Sequence, residues 1–412
     1  MGSNQVTAKS HNIRSILKTL LHQRQISRVE LAGITGLTTA TITNLVNELL
    51  RQGVVREEGI ELSDSPRVGR PRMVLELIPK ARYAIGVHIG IGEFRVIITD
   101  LIAKPIAEST IQYEVCQDAA VVIDAIIRQI KHLVQQNGIP NETIIGIGVG
   151  ASGLVNVETG VNINAPNLCW QDIPLRDMIS HGTGFPVIVD NNVRLMSLAE
   201  AMFGDGKSVN AMAFVYARIG VGAGLVVNGS LYRGMAAGAG EIGHSVVIPD
   251  GGEICRCGNH GCLETLVSEP AIIRLAQQLA EANPDGIMAR ELQNGNGSLI
   301  DHVFAAAQAG DIAVLEMLKD RARYFGIALA NLVNILNPEM IVLGGLLVQG
   351  EAYMLPVIQN TVRKCAFSHM GDQVEIRTTR FGHQTGVIGA AAFALNTFFY
   401  DSIEFSEQEK TI

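Results

Sequence analysis

The chain has 412 residues, 47% of them apolar and 17% charged, which suits two or three domains with buried cores and excludes a disordered chain. A net charge of −8 excludes a protein that coats nucleic acid with its whole surface, yet residues 1–80 carry 11 Lys/Arg against 7 Asp/Glu and the remainder 21 against 33. No apolar run reaches the roughly 18 residues of a membrane span, and the polar, basic first 20 residues lack a signal core, so no membrane insertion and a cytoplasmic location are expected.

The basic head comes first. Over 11–23, Ile13, Ile16, Leu17, Leu20 and Leu21 recur at helical spacing. Ser27, with Glu30 three residues on, makes a capping box that opens a short helix over 28–34. Thr35-Gly36-Leu37 turns the chain, and Thr38 caps a second helix that runs to about Arg51. Helix, glycine turn, helix is the helix-turn-helix pattern. Short strands over 54–56 and 73–77 flank a basic segment that reads as a hairpin wing. Residues 1–80 are therefore expected to form a winged helix-turn-helix DNA-binding domain. Thr38, Thr39, Thr41, Thr43 and Asn44 are short polar side chains near the start of the second helix, the part that meets base edges and phosphates in a major groove. Arg70-Pro71-Arg72, with Arg67 nearby, resembles an AT-hook suited to a narrow A·T-rich minor groove; a plain basic hairpin on phosphates is the alternative. The expected partner is double-stranded operator DNA, read by a homodimer or homotetramer that presents two heads to a palindrome.

Residues 79–83 read as a hinge, after which the texture changes. A strand hairpin over 84–100 is followed by a helix over 119–136, buried strands at 144–149 and 187–190, and a helix over 192–203. Strands at 212–216 and 224–227 flank a glycine-rich turn, helices dominate 269–334, and 341–343 is a further strand. This alternation predicts a mixed α/β body of two similar lobes, 81–200 and 201–400.

Three of the six cysteines, Cys255, Cys257 and Cys262, fall within eight residues. With an imidazole they make a complete tetrahedral set and leave no open position, which predicts a structural Zn²⁺. His244 and His260 are the candidate fourth ligands.

Cys255-Arg256-Cys257-Gly258 continues through Gly261-Cys262-Leu263-Glu264, and Gly240-Glu241-Ile242-Gly243-His244 precedes it. Both strings resemble the markers of the ROK family (repressors, open reading frames, kinases), and the resemblance covers about residues 84–395. It favours His244 as the fourth zinc ligand. With the N-terminal head, the chain resembles the repressor branch. The resemblance implies a two-lobed actin-like (ribonuclease H-like) sugar-kinase fold behind the winged helix-turn-helix. It also implies that Asn191, Asn192, Glu241, His244 and Glu264 line a small sugar or amino sugar.

Family kinases bind ATP on two glycine-rich loops and use an aspartate as general base, and this sequence departs from that pattern three times. The first loop reads His88-Ile89-Gly90-Ile91-Gly92, with Ile91 where the kinases carry a glycine. The second reads Arg218-Ile219-Gly220, without the kinases' threonine. Counting back from Ala199-Glu200, the base position falls on Asn192, whose amide cannot take a proton; a register two residues off would put Asp190 there instead. The resemblance thus implies a sugar-responsive repressor of carbohydrate genes with no catalytic residue. The alternatives are a bifunctional sugar kinase and a regulator controlled by a protein partner from sugar transport.

Overall fold

A computed structural model describes residues 2–59, 73–235, 238–295 and 297–401. The chain forms two compact units, Met1–Asn192 with Val387–Ile412, and Val193–Gly386.

The first unit opens with the head. Helix α1 (Gly2–Gln23) buries Ile13, Ile16, Leu17 and Leu20. Strand β1 (Gln25–Ser27) leads into α2 (Arg28–Thr35), and α3 (Thr39–Arg51) follows. Strands β2 (Val55–Glu58) and β3 (Val74–Leu77) complete a three-stranded sheet of order β1-β3-β2, antiparallel throughout. The wing tip, with Arg67, Arg70 and Arg72, lies outside the described residues.

The rest of this unit is built on β4 (Tyr83–Ile89), β5 (Glu93–Asp100), β6 (Pro105–Gln112), β7 (Ile144–Ala151) and β11 (Val187–Asn191). Their order is β11-β7-β4-β5-β6; β4, β5 and β6 are antiparallel, and β7 and β11 run parallel to β4. Helices α4 (Ala119–Gln136) and α5 (Leu175–Thr183) belong to the same core. A small sheet of β8 (Leu154–Asn156), β9 (Val161–Ala165) and β10 (Trp170–Ile173) sits between β7 and α5 in sequence. Neither β6 nor this small sheet was expected from the sequence; their exposed residues blur the period-two pattern.

The second unit starts in helix α6 (Asn192–Phe203) and repeats the plan. Strands β12 (Met212–Ala217), β13 (Val221–Val227), β14 (Ser230–Tyr232), β15 (Met340–Gly345) and β16 (Glu375–Thr378) lie in the order β14-β13-β12-β15-β16. Again the first three are antiparallel and the last two parallel. Two sheets with one strand order and one set of directions are the two similar lobes expected from the sequence.

The division differs from consecutive segments at the C-terminus. From Val387 onward the helix Thr385–Leu395 belongs to the first unit. That helix is apolar all round and crosses the backbones of β4 and β7. A Cβ on Gly86 would lie 2.4 Å from the Val387 carbonyl oxygen, and one on Gly148 2.0 Å from that of Ala390. Glycine at both positions lets helix and sheet meet backbone to backbone. The π-helical turn Asn396–Tyr400 ends at Asp401, whose carboxylate is held by Arg14 Nε and Lys18 Nζ of α1, each at 3.0 Å.

Candidate functional site

The head is assembled by local capping. Ser27 accepts from the Glu30 amide while the Glu30 carboxylate accepts from the Ser27 amide, the reciprocal box foreseen in the sequence. Gly36 takes the left-handed conformation (φ 69°) that closes α2. In α3, Ile42, Leu45, Val46 and Leu49 are buried, and Thr39, Thr43 and Asn44 are exposed on the other side. Two of the candidate DNA hydroxyls serve the helix itself. Thr38 Oγ1 accepts from the Thr41 amide at 3.2 Å and lies 2.9 Å from the Thr41 hydroxyl. Thr43 Oγ1 donates to the Thr39 carbonyl at 2.8 Å. The sequence reading missed Arg28, whose guanidinium donates to Asn47 of α3 at 3.0 Å and pairs with Glu57 of β2 at 2.8 Å, tying the helix pair to the wing strand.

The candidate metal cluster belongs to the second unit. His244 ends a 3-10 turn, Ile242–His244, and Cys255, Cys257 and Cys262 lie on the loop that leads into the short helix Leu263–Val267. The four candidate ligand atoms all lie within 4.8 Å of one another. Cys257 Sγ is 3.7 Å from Cys262 Sγ, and Cys255 Sγ is 3.6 Å from His244 Nδ1. Four ligands at tetrahedral angles about Zn²⁺, with bonds of about 2.3 Å to sulfur and 2.0 Å to nitrogen, stand about 3.5–3.8 Å apart. Donor set and spacing therefore fit a metal ion. Among the described residues, His260 is not part of the cluster. With Nδ1 turned to the thiols, His244 Nε2 is the nitrogen left for another partner.

The same unit carries three sugar candidates. Glu241 is exposed at the start of the His244 turn, next to Gly240 (φ 97°). Glu264 is buried. Its Oε2 accepts from the Val221 amide at 2.9 Å, and its Oε1 pairs with Arg256 at 2.9 Å. Arg256 lies between two metal-cluster cysteines, and the sequence reading gave it no role. Its guanidinium and the Glu264 carboxylate cover Gly220 in the second glycine-rich loop, where a Cβ would meet Glu264 Oε2 at 3.0 Å and Arg256 Nη2 at 3.3 Å.

The first unit carries Asn191 and Asn192 where β11 passes into α6. Asn191 Nδ2 donates to the Gly153 carbonyl at 2.9 Å, and its amide donates to Asp190 Oδ1 at 2.6 Å. Asp190 is fully buried beneath that turn, whereas Asn192 opens the helix and is half-buried. In the first glycine-rich loop, the Gly90 amide bonds to the Glu93 carbonyl at 3.0 Å, and Ile91 packs on the core of this unit. The Tyr113 hydroxyl donates to the Gly90 carbonyl, and burial pushes that hydroxyl up to about 12, so it remains a donor at neutral pH. Tyr113 was not singled out in the sequence; nothing local marks a tyrosine beyond β6 as the partner of a loop 23 residues upstream.

Comparison with known proteins agrees with both halves of this description. The sequence pattern of the ROK family matches residues 84–397, and that of a winged helix-turn-helix DNA-binding domain matches residues 9–56. The chain belongs to the ROK family. A putative xylose repressor from Caldicellulosiruptor sp. is 30% identical over 395 residues, 95% of this chain and 97% of that protein. A solved ROK family transcriptional regulator, a homologue of the E. coli MLC protein, superposes with a TM-score of 0.81 at 27% identity, over 96% of this chain and 97% of its own. A glucokinase from Halalkalibacterium halodurans is 38% identical over 246 residues, which span 60% of this ROK chain and 74% of that enzyme. The regulators thus match over nearly the whole of this chain, whereas the glucokinase matches over 60% of it. No described helix is long and apolar enough to cross a membrane.

Proposed function

We infer that this ROK protein is a sugar-responsive transcriptional repressor of carbohydrate genes, with no kinase activity of its own. One observation carries the reading: a winged helix-turn-helix head precedes a sugar-kinase-like body, and by resemblance the kinases' general-base position falls on Asn192. An amide can hydrogen-bond a sugar hydroxyl but cannot accept its proton. The crowded loops support the same reading. Ile91 is partly buried against the core, and Arg256 and Glu264 lie over Gly220, where the kinases' phosphate cradle would be.

Asn191, Asn192, Glu241, His244 and Glu264 are the residues for the sugar hydroxyls, since carboxylates and amides form paired hydrogen bonds with vicinal hydroxyls. Zn²⁺ held by His244, Cys255, Cys257 and Cys262 would be structural. Four protein ligands leave it no site for a substrate, and its role is to hold the loop that carries Arg256 and Glu264. Thr38, Thr39, Thr41, Thr43 and Asn44 read operator DNA, with Arg67, Arg70 and Arg72 of the wing on the minor groove or the phosphates. A homodimer or homotetramer would present two heads to a palindrome.

The test is calorimetric titration of the zinc-loaded protein with a panel of glucose, xylose, N-acetylglucosamine and N-acetylmannosamine, with and without Mg-ATP. Heat for one sugar, none for ATP and no product in a coupled kinase assay is the expected result. Asn192→Ala should weaken that sugar at least about tenfold, the cost of unpaired hydroxyls in a polar site. ATP turnover would instead establish the bifunctional kinase, a reading favoured by the 38% identity to a glucokinase. Absence of heat for every sugar, with retention by a sugar-transport protein, would favour control by a protein partner.

A further inference from the structure

Three cysteines stand apart from the metal cluster, and two of them are paired with each other. Cys116, in the loop between β6 and α4, and Cys169, in the turn between β9 and β10, are joined by a disulfide across 53 residues of sequence, with Cα atoms 5.0 Å apart. Both residues are exposed. Both also adopt left-handed backbone, φ 65° and 59°, a region that residues other than glycine rarely occupy. An exposed disulfide between two loops, unlike one sealed in a core, is open to attack by a thiolate.

The segments it joins lead to Asn191. Trp170, next to Cys169, donates its indole N–H to the carbonyl of Gln117, next to Cys116, at 3.1 Å. Asp118 then caps α4. On the other side, the Cys169 turn is closed by bonds from Leu168 to Ala165 and from Cys169 to Pro166. Ala165 and Asn164 press on Gly153, where a Cβ would come within 2.4 Å of the Asn164 carbonyl oxygen. The Gly153 carbonyl is the acceptor that orients the Asn191 side chain. Cys169, the β9 end, Gly153 and Asn191 thus form one continuous packed path.

We propose that Cys116 and Cys169 are a reversible redox-modification site that sets the rigidity of the β8–β10 sheet and, through Gly153, the presentation of the Asn191 amide. The effect on sugar rests on the sugar-binding reading above; the redox site does not. The oxidant is a low-molecular-weight disulfide. One cysteine thiolate attacks it and expels the first thiolate. The second cysteine attacks the resulting mixed disulfide and expels the other. The two cysteines lose two electrons to the oxidant, and their two protons go to solvent or to the released thiolates. Reduction runs the same exchange backwards. The disulfide ties down the two strained turns and reinforces the Trp170 to Gln117 hydrogen bond beside it.

The experiment uses the full-length, zinc-loaded protein equilibrated in buffers of defined reduced-to-oxidised glutathione ratio. Differential alkylation read by mass spectrometry should show Cys116 and Cys169 changing together. Oxidation should raise Tm by roughly 5–10 °C and slow amide exchange over residues 154–170. Cys116→Ser and Cys169→Ser should each abolish both responses. The sugar found in the calorimetric panel should bind the two redox states with a several-fold difference in Kd, absent in both variants. Alkylation of both cysteines at every glutathione ratio overturns the redox site, as does a disulfide that leaves exchange over 154–170 unchanged. Redox-dependent exchange with one unchanged sugar Kd overturns the link to Asn191. If no sugar binds in either state, the sugar reading fails while alkylation and exchange still decide the redox site.

Discussion

Single side chains divide here between those proposed to hold a ligand and those that hold the residues around it. Cys257 is exposed, so its replacement opens no cavity; its place in the cluster is what a substitution removes. Cys257→Ser should reduce bound zinc well below about one ion per chain by elemental analysis. Because the loop carries Arg256 and Glu264, the variant should also bind sugar more weakly than wild type. Undiminished zinc in the variant would remove Cys257 from the ligand set. A second residue, Glu200, lies fully buried in α6, where its carboxylate accepts from the Thr379 hydroxyl and the Asp205 amide. Burial outweighs those hydrogen bonds and raises its pKa above the ordinary 4.5. A raised carboxyl pKa means that the folded protein holds the proton more tightly than the unfolded chain. The contribution is therefore full below pH 4.5 and is lost as pH rises through the raised value. Glu200→Gln keeps the neutral shape and removes the titration. As pH rises above 4.5 the variant should gain on wild type in denaturant melts, by no more than about 1.4 kcal/mol per pH unit. Parallel stability curves would show that Glu200 does not titrate in that range.

Elements meet here through absent side chains as much as through present ones. The helix Thr385–Leu395 approaches β7 so closely that Gly148 has no room for a methyl group. The obstacle is the backbone carbonyl of Ala390, which no rotamer change can move. Gly148→Val should therefore cost at least about 3 kcal/mol, visible as a fall in Tm of roughly 6–12 °C. A Tm within a degree of wild type would mean that helix and sheet separate easily. The same contact explains why residues from Val387 onward join the first unit: an all-apolar helix needs a flat, glycine-lined sheet to cover it.

For the molecule as a whole, the test is linkage between sugar and DNA. The head shares a unit with Asn191, and Asp401 pins α1 through Arg14 and Lys18 at the end of the helix that covers β4 and β7. A sugar that binds one conformation better than another must shift operator affinity by the same factor that DNA shifts sugar affinity. Fluorescence anisotropy with a labelled operator should show both shifts equal. The operator affinity should also fall linearly in log–log plots against salt, and Arg70→Ala should reduce the slope by about one if that side chain neutralises a phosphate. An unchanged slope would leave Arg70 without a phosphate contact.

Much of this was legible along the chain because the signals are local. The Ser27–Glu30 box, the Thr38 cap and the Asn192 helix start need only neighbours within four residues, and the helices over 119–136 and 192–203 were placed at their observed ends. The thiol spacing of Cys255, Cys257 and Cys262 named a metal site for the same reason. Contacts between residues far apart in sequence were not legible. Glu264 on Val221, Tyr113 on Gly90, Asp401 on Arg14 and Cys116 on Cys169 each join segments that no periodicity links. Chain order supplies residue types and local hydrogen bonds, whereas a pairing across 53 or 387 positions exists only once the sheets have brought its two ends together.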